Sequence, residues 1–118
     1  MRLRDLKATF LRRFADRSMS FGPDGEEYQH GIQFLCPKCF VENVGPIGTH
    51  SIICWFINPK KGDPVPADET PGPGRWLRDG DTLDVLTLGP GPTGQRSVLL
   101  QGGCNWHGYV TLGEVTTC

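Results

Sequence analysis

The sequence predicts an all-β domain, a small antiparallel sandwich or barrel with little helix. Two observations lead there. Apolar segments are short, four to nine residues, and rich in β-branched and aromatic side chains. Glycine and proline are abundant, at 16 and 10 of 118 residues, and they punctuate the chain between those segments. Together these give six or seven short strands joined by turns, the pattern of a small sandwich or barrel.

The elements follow in order. Residues 6–14, LKATFLRRF, alternate, with Leu6, Ala8 and Phe10 on one side, and predict a half-buried strand. Leu3, Leu6, Phe10 and Phe14 also fit a short amphipathic helix over 3–14, and the strand is preferred. Residues 15–30 are polar, carry the turn signal Gly22-Pro23-Asp24-Gly25, and read as a loop. Residues 31–35, GIQFL, form a strand running into Cys36. Residues 49–57, THSIICWFI, are apolar on both faces and predict a central strand.

Five prolines between 58 and 74 (Pro59, Pro64, Pro66, Pro71, Pro73) exclude a helix or inner strand, leaving an exposed, extended loop. Trp76 and Leu77 begin a strand that turns at Asp79-Gly80. Leu83, Val85 or Leu86, and Leu88 continue it or form a brief helical turn. Residues 89–95, GPGPTGQ, read as a second loop. A strand follows over 97–101, then a hairpin with arms 108–111 and 114–117 turning at Leu112-Gly113. Nothing in the composition divides the chain, so one domain, 1–118, is expected.

Hydrophobic residues are only 37% of the chain, a modest core that gains from an added staple. Two short motifs supply one. Cys36-Pro37-Lys38-Cys39 is C-x2-C, and Cys104-Asn105-Trp106-His107 is C-x2-H. Ligands two residues apart can face one ion when the backbone between them curls tightly. The amides of that turn then point at the thiolate sulfurs. Pro37 in the first motif, and Gly102, Gly103 and Gly108 around the second, suit such turns. Two half-sites make a tetrahedral Cys3His set, which predicts one structural Zn2+ held by Cys36, Cys39, Cys104 and His107 in a zinc-ribbon-like arrangement.

The gap over residues 40–103 exceeds that of common zinc fingers. Loop closure costs only about 0.6 kcal/mol per doubling of length, against on the order of 10 kcal/mol from structural zinc in small peptides. The competing reading is a set of unrelated buried thiols and a surface histidine, since free cysteine is commonly buried. A redox dithiol at Cys36/Cys39 lacks the βαβ surroundings that such motifs use.

Cys54, on the apolar strand, reads as a core thiol, and Cys118 as exposed and incidental. His50 opens the central strand and reads as a hydrogen-bonded structural residue. His30 carries no signal. Trp55, Trp76 and Trp106 read as core or as a shell around the metal, with Trp76 an alternative anchor for a partner.

Four filled positions leave no coordination site for water, which argues against catalytic zinc. H-E-x-x-H, G-x-S-x-G, the deaminase H-x-E and the nucleotide fingerprints are all missing. An alternative is a serine hydrolase or peptidase using Ser97, His50 and Asp81 or Asp84, because such triads leave no necessary local signature.

Charge is uneven. Residues 1–17 carry Arg2, Arg4, Lys7, Arg12, Arg13 and Arg17 against Asp5 and Asp16, a local +4 within a chain of net −1. A second alternative is therefore nucleic-acid binding through this basic segment. The competing reading is the solvated face of an edge strand. No 18-residue apolar run predicts a membrane span, and the N-terminus has no apolar h-region of a secretory signal. Five cysteines, partly as C-x-x-C, fit a reducing compartment. A cytoplasmic location is expected, with virion association an open alternative.

The runs LCPKCF, GTH…CWF, PGRW, LDVLTL and SVLLQGGCNWHGYVTLGEV resemble small uncharacterised zinc-binding proteins encoded by bacteriophages and prophages of Gram-negative bacteria. The similarity covers most of residues 1–116, and GGCNWHG is its most specific part. More remotely, the order of motifs is similar to a bacterial domain family of unknown function. Some of its members accompany ubiquitin-like conjugation genes and are candidate serine peptidases. This chain departs from that pattern by a glycine-proline insertion just before Ser97. The first resemblance implies a phage or prophage origin; taken with the filled zinc site, the expectation is a non-catalytic interaction module contacting a host or phage protein. The 58–74 loop, the 89–95 loop and the basic N-terminal strand are the expected contact surfaces.

Overall fold

A computed structural model of the chain describes residues 1–14, 16, 18–22, 28, 30–57, 65–66, 69–70, 74–91, 94–100 and 104–118. Among them lie nine strands and one α-helix. The strands are β1 (Thr9–Arg13), β2 (Met19–Gly22), β3 (Gly31–Leu35), β4 (Ser51–Ile57), β5 (Trp76–Asp79), β6 (Thr87–Pro90), β7 (Val98–Leu99), β8 (His107–Thr111) and β9 (Glu114–Thr117). The helix α1 is Pro37–Glu42, and a 3-10 turn covers Leu3–Leu6. The all-β class read from the sequence is the observed one.

Six strands form one sheet in the order β2-β1-β3-β4-β5-β6, and three form a second, β7-β8-β9. All pairings are antiparallel except β4 with β5. The apolar run at 49–57 is central, as expected, because β3 and β4 occupy the middle of the larger sheet. The smaller sheet packs over one face of the larger. Their shared core holds Phe10, Ile32, Phe34 and Phe56 from the first and Val98, Trp106, Val110 and Val115 from the second.

The opposite face of the larger sheet buries Leu11 and Trp55. It is capped by part of the proline-rich stretch: Trp55 Nε1 donates to the Thr70 carbonyl at 3.0 Å, and Arg13 pairs with Glu69. Arg75 donates to the carbonyls of Pro66 and Glu69, at 2.8 and 3.0 Å. The expected exposed loop is therefore tied down where it is described. Residues 58–64, 67–68 and 71–73 lie outside the described residues.

Three further readings change. Residues 15–30 contain strand β2, because Phe14 N–H bonds the Ser18 carbonyl at 2.9 Å and folds the chain back on β1. The Asp16 carboxylate closes that turn by accepting from the Ser18 amide and hydroxyl, at 3.0 and 2.6 Å. The N-terminal segment differs from both readings, a strand over 6–14 and a helix over 3–14. It is a 3-10 turn whose exit, Lys7, is left-handed at φ 52°, followed by β1. The predicted loop 89–95 yields its first two residues to β6, where Gly89 faces Leu77 and Pro90 faces Trp76. Residues 92–93 lie outside the described set.

The hairpin is as read. Leu112 and Gly113 both have positive φ, 47° and 77°, the two-residue turn whose twist matches its strands. A side chain at Gly113 would also strike the carbonyls of Leu83 and Asp84, 2.6 Å away. No helix among the described residues is long and apolar enough to cross a membrane.

Candidate metal centre

Strand β3 ends at Leu35 and delivers Cys36 to the N-cap of α1, with Pro37 as the first helical residue. Proline fits there because its missing N–H would have no helical partner. One turn of helix then carries Cys39 back towards Cys36. The chain leaves α1 through residues 43–49 and re-enters the sheet at β4. The β3–β4 register continues past Leu35↔Ser51, so the Cys36 amide bonds the His50 carbonyl at 2.9 Å. Cys36 and His50 are thus cross-strand neighbours.

The third segment arrives from the smaller sheet. Cys104 stands just before β8, followed by Asn105 at φ 54°, a left-handed residue that turns the chain. Trp106 then enters the core at 1% exposure. Its ring meets Phe34 edge-on, with centroids 6.1 Å apart, and its Nε1 donates to Thr117 Oγ1 at 3.0 Å. Gly108 makes room for this ring, since a Cβ there would lie 2.4 Å from it. Phe34 is two residues from Cys36 and Trp106 two residues from Cys104, so this contact brings the two motifs together. Lys38 Nζ adds a tie by donating to the Cys104 carbonyl at 3.0 Å.

The ligand atoms of Cys36, Cys39, His50 and Cys104 all lie within 4.8 Å of one another. Cys36 Sγ is 3.3 Å from Cys104 Sγ, and His50 Nε2 is 3.1 Å from the same sulfur. Zinc–sulfur bonds of about 2.3 Å in a tetrahedron give sulfur–sulfur edges of about 3.8 Å, so the set is close to that size. All five cysteines are free thiols. Three soft sulfurs and one imidazole suit zinc by donor chemistry. The cluster can bind one metal ion.

Three of the four expected ligands meet here, and the fourth differs. His50 joins the cluster and His107 does not. The reason is strand alternation. Trp106, Gly108 and Val110 are buried, while His107, Tyr109 and Thr111 are half-buried on the other face. With Trp106 directed into the core beside Cys104, His107 faces away, and its carbonyl accepts from the Cys118 amide at 3.0 Å. The signal for His50 was positional: it stands just before the strand that pairs with the one ending at Cys36. Residues 101–103, with Gly102 and Gly103, lie outside the described set.

The thiols differ in acidity. Burial pushes Cys36 up to about 12 despite the Lys38 and Cys39 amides facing it. Burial also raises Cys39, helped by Cys104. Burial opposes ionisation of Cys104 too, but bonds from His50, Cys36 and the Trp106 amide outweigh it and bring it down to about 7. Without metal, Cys104 is the readiest thiolate of the three. Cys54 is fully buried in the core, as read, and burial alone raises its pKa.

The other candidates disperse. Ser97 Oγ accepts from Gln95 Nε2 at 3.3 Å, Asp81 accepts from Arg78 at 2.6 Å, Asp84 holds Arg4, and His50 faces Cys104. These bonds do not join Ser97, His50 and Asp81 in a triad. Trp76 is no surface anchor: it is buried, and its Nε1 donates to the Arg96 carbonyl at 3.1 Å. The basic segment is partly neutralised from within, Arg2 and Arg4 by Asp84 and Arg13 by Glu69. His30 has a role that the sequence did not signal: it is buried, and its Nδ1 accepts the Arg13 amide at 2.7 Å.

No known protein family, curated protein or solved structure matches this chain.

Proposed function

We propose that this chain is a non-catalytic, zinc-stabilised β module of phage or prophage origin that works by contacting a host or phage protein in the bacterial cytoplasm. The observation that carries the zinc reading is the four-ligand cluster, three sulfurs and one imidazole within 4.8 Å of one another. A bound zinc ion would supply a fixed tetrahedral cross-link with all four positions taken by protein, which favours a structural over a hydrolytic role. Cys36, Cys39 and His50 would hold it from the larger sheet's side and Cys104 from the smaller sheet's. The phage origin rests on the sequence resemblance around CPKC and GGCNWHG. Metal analysis of purified protein tests the zinc reading: one zinc per chain is expected, lost in Cys36→Ser and Cys104→Ser. A metal-free chain with unchanged folding contradicts it.

A second reading has its own observation. Cys104 and His50 lie 3.1 Å apart, and the Cys104 thiol titrates near neutrality, the arrangement of a thiolate nucleophile beside its base. Selective alkylation of Cys104 by iodoacetamide in the protein as purified favours this reading. Protection of all three cluster cysteines until a chelator is added favours zinc.

A further inference from the structure

We infer that the groove between α1 and β9 binds an extended segment of a partner protein, one with alternating apolar residues and a lysine or arginine. This rests on the interaction-module reading above and names its partner's chemistry. The groove has a volume of about 500 Å³, within the range of ligand sites. It is lined by Pro37 and Val41 of α1, by Val115 and Thr117 of β9, and by Met1.

Three features select the occupant. The first is a strand edge that the described residues cover only in part. β9 pairs with β8 through Glu114 and Thr116, so the main-chain groups of Val115 and Thr117 point the other way. Val115 uses its pair on Met1: its N–H bonds the Met1 carbonyl at 2.6 Å, and its carbonyl accepts the Met1 nitrogen at 3.1 Å. Residues 1–3 thus already run antiparallel along this edge, with Arg2 bridging Glu114 and the Leu3 amide bonding the Gly113 carbonyl at 2.9 Å, and beyond them Thr117 presents the next main-chain pair along the groove. An extended peptide continues such an edge and gains main-chain bonds.

The second feature is apolar surface at the groove wall and beyond it. Val41 is 66% exposed, and Val44 and Ile47 on the adjoining loop are 92% and 90% exposed. A strand laid along the groove would present alternate side chains to this wall. The third is charge. Lys38 is engaged on the Cys104 carbonyl, whereas Glu42 lines the groove and has no ion-pair partner among the described residues. A basic side chain on the occupant completes it, and an acidic peptide is disfavoured.

The test is selection of a displayed random decapeptide library on the zinc-loaded full chain, followed by fluorescence anisotropy of the synthetic consensus peptide. Expected is an alternating apolar consensus with one Lys or Arg, weakened at least tenfold by Val41→Asp and by Glu42→Lys. Glu42→Gln gives an intermediate loss. Zinc stoichiometry and far-UV circular dichroism are measured on each variant, so loss of fold is told apart from loss of the groove. If no peptide is enriched, or if the consensus binds every zinc-loaded, folded variant as well as the parent, the inference fails while the zinc reading stands. Binding of phosphatidylcholine vesicles, lost in Val44→Asp or Ile47→Asp and unaffected by the peptide, also overturns it and makes the loop a lipid contact. Absence of zinc from the parent protein undermines the reading beneath it instead.

Discussion

Val44 sits where helices usually place glycine. α1 ends in a double bond pattern: the Gly45 amide reaches the Phe40 carbonyl at 3.0 Å and the Val44 amide the Val41 carbonyl at 3.2 Å. This closure demands a left-handed residue, and Val44 adopts φ 53°. For a β-branched side chain that conformation costs on the order of 1 kcal/mol or more. The side chain recovers nothing by burial, being 92% exposed. Val44→Gly is expected to raise stability by about 1 kcal/mol in urea denaturation, with zinc content unchanged. An unchanged or lowered midpoint would mean that Val44 makes a stabilising contact. At this scale the sequence identified Cys36, Cys39 and Cys104 through spacing but assigned His107 in place of His50. Spacing reports neighbours along the chain. It says nothing of the neighbour across a strand pair, which is where His50 lies relative to Cys36.

Elements were legible where their signals were local. The strand over 31–35 and the hairpin turning at Leu112-Gly113 emerge from the sequence because alternation and turn residues lie within them. β2 was missed because Met19 and Phe21 remain exposed and give no core-facing pattern. The N-terminal 3-10 turn was missed because what holds it is remote. The Arg4 guanidinium forks onto the Asp84 carboxylate at 2.5 and 2.9 Å, and the Leu3 amide bonds the Gly113 carbonyl at 2.9 Å. The bond from Arg4 holds the Asp84 carboxyl below its usual range, with the nearby positive charges adding to it. Its folded pKa is therefore below the unfolded one. The pair adds stability above the unfolded carboxylate pKa and loses it as pH falls through the folded value. Asp84→Asn is expected to lower the melting temperature slightly at pH 7 and by less at pH 3. An equal loss at both pH values would point to packing in place of charge.

Across the whole molecule, the cluster joins two sheets that also meet through apolar packing and a few hydrogen bonds, such as Leu112 N–H to Thr87 Oγ1 at 2.9 Å. Three of its ligands flank β3 and β4, and Cys104 comes from the approach to β8. Sheet order could not be read from the sequence. It depends on the parallel β4–β5 pairing and on the smaller sheet covering the larger, neither of which leaves a local pattern. If free zinc stands a thousandfold above its dissociation constant, binding stabilises the fold by about 4 kcal/mol. Chelation is expected to lower the melting temperature, and added zinc to restore it. Acid acts in the same direction, because protons compete with metal for the thiolates and the imidazole. A melting curve indifferent to chelator would leave the sheets held by packing and hydrogen bonds, with no contribution from metal.

The most direct measurement is cobalt(II) titration of the metal-free protein beside its His50→Ala and His107→Ala variants, followed by zinc competition. The parent and His107→Ala are expected to give the same tetrahedral thiolate–cobalt spectrum and zinc affinities within about twofold. His50→Ala is expected to alter the spectrum and weaken zinc binding at least tenfold. The reverse result, with His107→Ala losing the metal and His50→Ala keeping it, would contradict the geometry of this centre.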